Sequence, residues 1–229
     1  MKKEYELGED EILEVKSDRL FHDMFNENEM NTIEWTVMMI LGKSYEEIHG
    51  NVKVGNIRLT NMSKDDKEKY VDLVVYLDNT ITVIELNNHF HGNYLRNVLY
   101  SMNVINNSYT PKEKEYRKKI QGILVNLNWD DNSNNSEESR YEVIYEYPMK
   151  GKEKEDYLLK IININLDYYS KRCYNEFEGV DKLSKLLTLK SKKELKEIVS
   201  KEKLLDNYYD KMERLSKNKE YPLWYGMKE

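Results

Sequence analysis

The chain has 229 residues, 39% of them hydrophobic and 34% charged, enough apolar material for one full-sized α/β core. Its 36 basic and 42 acidic residues leave a net charge of −6, which excludes a global electrostatic attraction to nucleic acid and leaves that role to a local patch or a metal ion. A single cysteine, Cys173, excludes an intramolecular disulfide, and no stretch has the length and apolarity of a signal peptide or a membrane span, so a cytoplasmic protein with no membrane partner is expected.

In chain order, "SDRLFHDMFNENEMNTIEWTVMMILG" opens on Ser17 and Asp18 as helix caps, carries apolar residues at helical spacing and stops at Gly42, which predicts one broken helix or two. Alternation in "NVKVGNIRLTNM" predicts a first strand, and the polar run "SKDDKEK" predicts a loop. Two strands joined by a tight turn follow in "KYVDLVVYLDNTITVIELNN". "HGNYLRNVLYSMNVINNSY" reads as an amphipathic helix carrying Leu95, Leu99 and Met102, and "KKIQGILVNLNW" as a strand built on Ile120, Ile123, Val125 and Leu127. "DDNSNNSEES" is a polar loop, and "RYEVIYEYPM" and "DYLLKIININLDYY" are two further strands. From Val180 to Leu215 the pattern is helical, with Leu183, Leu186, Leu187, Leu195, Ile198, Leu204 and Leu205 in stripes among Lys and Glu. The expected organisation is one domain over residues 1–178 and a helical extension over 179–229.

The central hairpin raises a chemical question. Asp78 and Asn79 tolerate positive φ and suit the two central positions of a tight turn. Leu77 then faces Thr80, and the register counted back from the turn brings Asp72 opposite Glu85, with Val74, Tyr76, Ile81 and Val83 on the same face. Val71, Leu73, Val75, Ile84 and Leu86 fall on the reverse face, so both faces are apolar apart from the two carboxylates, as in a sheet covered on each side. Two carboxylates about 5 Å apart repel by roughly 3 kcal/mol at an effective dielectric near 20. A shared proton, a nearby Arg or Lys, or a divalent cation would offset that, and a hard cation such as Mg²⁺ suits two carboxylates and a main-chain carbonyl. A one-residue slip of the turn would instead separate the carboxylates onto opposite faces.

Other features carry less. His89 and His91 alternate after the Glu85 strand but have no third ligand nearby in sequence, and read as strand-end residues. Ser17, Ser44 and Ser101 lack a nucleophile-elbow context, and the nine glycines form no phosphate loop. The lysines at 182, 185, 190, 192, 193 and 196 form either a solvated helix face or an arm that contacts DNA or a second copy of the chain. The tail "YPLWYG" either docks on the domain or meets a partner.

"SDRLFHDMF", then Asp72 in "YVDLVV", then "IELN", then "YLRNVLY" resemble the PD-(D/E)xK nuclease superfamily, and within it the transposase-like recombination-promoting nuclease (Rpn) family. The match in order and spacing runs from Ser17 to about Trp129. The resemblance implies a restriction-endonuclease-like fold, a mixed sheet flanked by helices, and cleavage of DNA phosphodiester bonds with Mg²⁺ or Mn²⁺. It implies that Asp72, Glu85 and the main-chain carbonyl of Leu86 hold the metal, whose bound water becomes acidic. Asn87 stands where the superfamily has Lys and this branch Gln; its amide can orient a water but cannot take its proton. Asp18 either reaches the metal through a water or caps its helix, and Arg96 either contacts phosphate or is solvated or carboxylate-paired. The rival reading is a weak or inactive nuclease fold, of phage origin, that binds nucleic acid or protein as a regulatory module. Net acidity and Asn87 favour the rival; the register of Asp72 with Glu85 favours the enzyme.

Overall fold

The computed structural model describes residues 7–55, 58–59, 69–87, 98–99, 102, 121–129, 139–146 and 157–218. The architecture is α/β and divides into two compact units, one of residues 50–165 and one of residues 1–49 with 166–229.

The first unit holds eight described strands: β1 (Lys53–Gly55), β2 (Arg58–Leu59), β3 (Lys69–Tyr70), β4 (Leu73–Leu77), β5 (Thr80–Asn87), β6 (Gln121–Asn128), β7 (Arg140–Glu146) and β8 (Tyr157–Asn165). Six of them form one open mixed sheet in the order β1-β4-β5-β6-β8-β7, while β2 and β3 pair separately. The first three run antiparallel, β5, β6 and β8 run parallel, and β7 closes the edge antiparallel to β8. The β-branched runs of β5, β6 and β8 are buried on both faces, as central parallel strands require. One strand was expected over residues 51–62; β1 and β2 are instead two short strands in different sheets.

On one face of the sheet, Val71, Val74, Ile81, Val83, Leu124, Leu159 and Ile161 form a buried cluster, and Tyr76, Val98 and Val143 pack against it. Val98 comes from the expected helix, of which Val98, Leu99 and Met102 are described as helical. Leu99 and Met102 are half exposed, so the residue that packs is Val98 and not the stripe the spacing singled out; Leu95 lies outside the described residues.

The second unit is helical. α1 (Asp18–Met24) and α2 (Met30–Leu41) are the two expected helices, with Gly42 at the C-cap of α2 in the left-handed region that ends helices without a Cβ clash. A one-turn helix, α3 (Tyr45–Ile48), went unanticipated although Ser44 and Glu47 form a capping box. After β8 come α4 (Leu166–Ser170), α5 (Val180–Leu187), α6 (Lys192–Val199) and α7 (Tyr208–Lys217). Leu183, Leu186, Leu187, Leu195 and Ile198 are buried as the periodicity requires. The N-terminal segment belongs with these helices: Ile12 N–H donates to Lys190 O at 2.8 Å and Val15 N–H to Leu187 O at 3.1 Å.

The lysine face loses members to internal pairing. Lys185 is buried beside Glu194 at 3.5 Å, Lys182 lies 3.3 Å from Glu202, and Lys190 lies 3.3 Å from Glu14. A solvated or DNA-facing arm therefore cannot include Lys185. Among the described residues no helix is long and apolar enough to cross a membrane.

Candidate functional site

The hairpin has the register that its turn chemistry predicts. Leu77 pairs with Thr80, Val75 with Thr82 and Leu73 with Ile84, and Asp78 takes φ 52° at the turn. One step further, the same register would bring Asp72 opposite Glu85. The ladder does not extend to that step, however. Asp72 sits in a bend, and Val71, expected on the reverse face, joins the cluster around Val74. The bend turns the Asp72 side chain toward the neighbouring strand, where Oδ2 accepts a hydrogen bond from Leu86 N–H at 2.7 Å. The carboxylate thus replaces the main-chain carbonyl that a longer β4 would have offered.

That bond changes what Asp72 substitutions should do. Leu86 is buried, so Asp72→Ala leaves its N–H without this acceptor and should cost about 1–3 kcal/mol in EDTA. Asp72→Asn keeps an acceptor oxygen and removes one of two neighbouring negative charges, so its stability in EDTA should equal or exceed wild type. Urea melts of the two variants check this; equal losses would mean that the ionised form is what Leu86 N–H requires.

The same geometry aims Leu86. In a strand the N–H and C=O of one residue point to the same neighbour, so the Leu86 carbonyl is directed to the β4 side, beside Asp72. The next carbonyl points the other way, since Asn87 O accepts from Trp129 N–H at 2.7 Å. Asp72, Glu85 and Leu86 O therefore offer oxygens from adjoining positions, a donor set that suits a hard divalent cation with water completing its shell. Among the described residues no three His, Cys, Asp or Glu side chains gather as a metal-holding group.

Sequence reading missed the other half of this site. Parallel pairing sets Glu85 beside Asn126 and Asn126 beside Asn163; one pleat further, Asn87 lies beside Asn128 and Asn128 beside Asn165. Six polar side chains thus line one face at the carboxyl ends of three adjacent parallel strands, and all six are buried. Behind them on that face stand Val83, Leu124 and Ile161, and the interleaved Leu86, Leu127 and Ile164 on the opposite face are apolar. Ligands of open α/β sheets bind at the carboxyl ends of the strands. The signal was in the sequence as three tripeptides of one form, Glu85-Leu86-Asn87, Asn126-Leu127-Asn128 and Asn163-Ile164-Asn165.

The carboxamides are bonded to one another. Asn87 Nδ2 donates to Asn128 Oδ1 at 3.1 Å, Asn128 Nδ2 to Asn126 O at 3.3 Å, and Asn126 Nδ2 to Asn163 Oδ1 at 2.9 Å. Asn163 Nδ2 is buried with no hydrogen-bond partner among the described residues.

Asp18 is exposed in the first turn of α1, in the helical unit; the cap is Ser17, whose Oγ accepts from Leu20 N–H at 3.2 Å. An acidic side chain there is favourable with the helix dipole without making the capping bond. Arg96, His89 and His91 lie outside the described residues. No protein-family model matches the chain, and no curated protein matches it either.

Proposed function

We propose that the chain is a metal-dependent DNA endonuclease with a restriction-endonuclease-like fold, of the transposase-like Rpn branch of the PD-(D/E)xK nucleases. The observation that carries this reading is the hydrogen bond from Leu86 N–H to the Asp72 carboxylate, which brings Asp72 to the residue after Glu85 at the carboxyl end of β5. The six-stranded mixed sheet and the hairpin register support it as well. Mg²⁺ or Mn²⁺ held there would supply an acidic bound water and charge neutralisation at a phosphate. Asp72, steadied by Leu86 N–H, and Glu85, buried at the sheet face, would fix the cation's position, and Asn87 would orient a water beside it. Arg96 is the proposed phosphate contact.

The test is nicking of supercoiled plasmid by the full chain in Mg²⁺, Mn²⁺ and EDTA, with Glu85→Gln as control. Metal-dependent nicking that Glu85→Gln removes supports the enzyme. Nicking that survives the substitution, or a folded but inert wild type, overturns it.

One observation favours a second reading, a nuclease fold retained as a binding module. One amide hydrogen of Asn87 is engaged by Asn128 Oδ1, and a carboxamide cannot take a proton from a water. Proton removal from a water would then fall to solvent, and catalysis would be slow.

A further inference from the structure

The strand that ends the sheet leaves half of its main chain unpaired. β7 is last in the strand order, and Asn165 N–H donates to Ser139 O at 2.9 Å, one step before the ladder in which Arg140 pairs with Ile164. Residues of odd number therefore turn their N–H and C=O to β8, and those of even number turn theirs outward. Among the described residues no main-chain partner meets Glu142 or Ile144 on that side. Both are exposed, Ile144 at 52%, and Tyr145 on the opposite face is exposed at 51%. The register shift near Glu146 takes its extra residue, Leu158, from β8, so β7 itself runs unbroken from Arg140 to Glu146. An edge of this length with apolar side chains in solvent is a template for another strand.

The sequence of β7 says which strand. For a second copy running antiparallel across a two-fold axis, outward residues must pair with outward residues, so the axis passes through a residue and few registers remain. Centring the pair on Glu142 sets Glu142 opposite itself, and centring it on Ile144 sets Glu142 opposite Glu146 twice; like charges so placed are unfavourable. Centring on Tyr141 or Tyr145 pairs only three residues of each copy. Centring on Val143 pairs all seven, with Arg140 opposite Glu146 at both ends, Tyr141 opposite Tyr145 and Glu142 opposite Ile144. In that register the strand is complementary to itself in charge over its whole length.

We propose that β7 is a homodimer interface, at which two copies of this chain pair antiparallel about Val143 and join their six-stranded sheets edge to edge. Glu142 and Ile144 of each copy exchange main-chain hydrogen bonds with Ile144 and Glu142 of the other, and the exposed Ile144 and Tyr145 lose solvent. The interface is independent of the metal-binding reading above.

Sedimentation velocity of the full chain at low salt, over a wide range of concentration, tests this with wild type, Arg140→Glu, Glu146→Arg and an equal mixture of the two variants. Wild type should pass from monomer to dimer as concentration rises. Each variant alone opposes like charges at both ends of the pairing and should dimerise at least about tenfold more weakly. Mixed, the two variants oppose unlike charges at both ends and should form a heterodimer as strong as the wild-type dimer. A wild type that stays monomeric overturns the proposal and leaves the edge for a strand from another protein. A dimer that neither variant weakens, or that mixing does not restore, places the interface elsewhere and overturns it as well. Should a variant fail to fold, amide hydrogen exchange of wild type decides the same point. The N–H groups of Glu142 and Ile144 should exchange more slowly as the dimer forms; exchange independent of concentration overturns the pairing.

Discussion

The melting temperature of the wild-type chain should rise with Mn²⁺ concentration, and the rise should vanish in the double variant Asp72→Asn with Glu85→Gln. A ligand that binds only the native state stabilises it by about 2.7 kcal/mol at one hundred times its dissociation constant. For a chain of this size that corresponds to about 5–11 °C. The double variant keeps the shape of both side chains and the acceptor for Leu86 N–H, so its melt in EDTA should stay at or above that of wild type. Its Mn²⁺ and EDTA melts should then coincide. Coincident melts for wild type up to millimolar Mn²⁺ would mean that Asp72 serves only to end β4 and hold Leu86, and the metal site would be lost with them.

The two halves of the site differ in how far sequence reading could reach them. The strands that carry Asp72 and Glu85 are joined by a two-residue turn, and turn chemistry fixes register locally, so the ladder from Leu77–Thr80 to Leu73–Ile84 follows from Asp78 and Asn79. The bend at Asp72 does not follow. Alternation assumes a strand that continues, whereas β4 stops at Leu73 because a side-chain oxygen takes over the bond to Leu86. The asparagine array depends on long-range information. Asn126 and Asn163 become neighbours of Glu85 only if β6 and β8 are successive parallel neighbours of β5, an order set by packing of the whole sheet.

The helical regions show the same division. Ser17 and Gly42 end helices by local backbone chemistry and are visible in sequence. The burial of Val98 in place of Leu99 and Met102 depends on how a helix is turned against the sheet, which a short amphipathic pattern leaves open by about one position. Lys185 is a similar case. Its charge marked it for the surface, but it is buried and pairs with the partly exposed Glu194 on the next helix.

Substitutions at Asn87 should separate the enzyme from the binding module most sharply. Asn87 is buried, and its amide nitrogen is held by Asn128, so Asn87→Ala removes the oxygen from the site and leaves Asn128 Oδ1 without this donor. If that oxygen orients the attacking water, plasmid nicking in Mg²⁺ should fall by about a hundredfold, the scale on which positioned proton acceptors act. Asn87→Lys is the informative counterpart. Its ammonium can donate to Asn128 Oδ1 in place of the amide and lies beside two carboxylates, so it should relieve their repulsion and raise the melting temperature in EDTA. The same charge should weaken Mn²⁺ binding, while a lysine that loses its proton in the metal-bound state gains a base the wild type lacks. Nicking by the lysine form should therefore match or exceed wild type at saturating Mg²⁺ but require more metal to reach half its maximum. Asn87→Gln carries the amide one methylene further from the strand and should keep or raise nicking without altering the metal requirement. Wild type, Gln and Lys forms that are all folded and all inert in Mg²⁺ and Mn²⁺ would remove catalysis from the chain, and the carboxylates and asparagines would then be a binding surface.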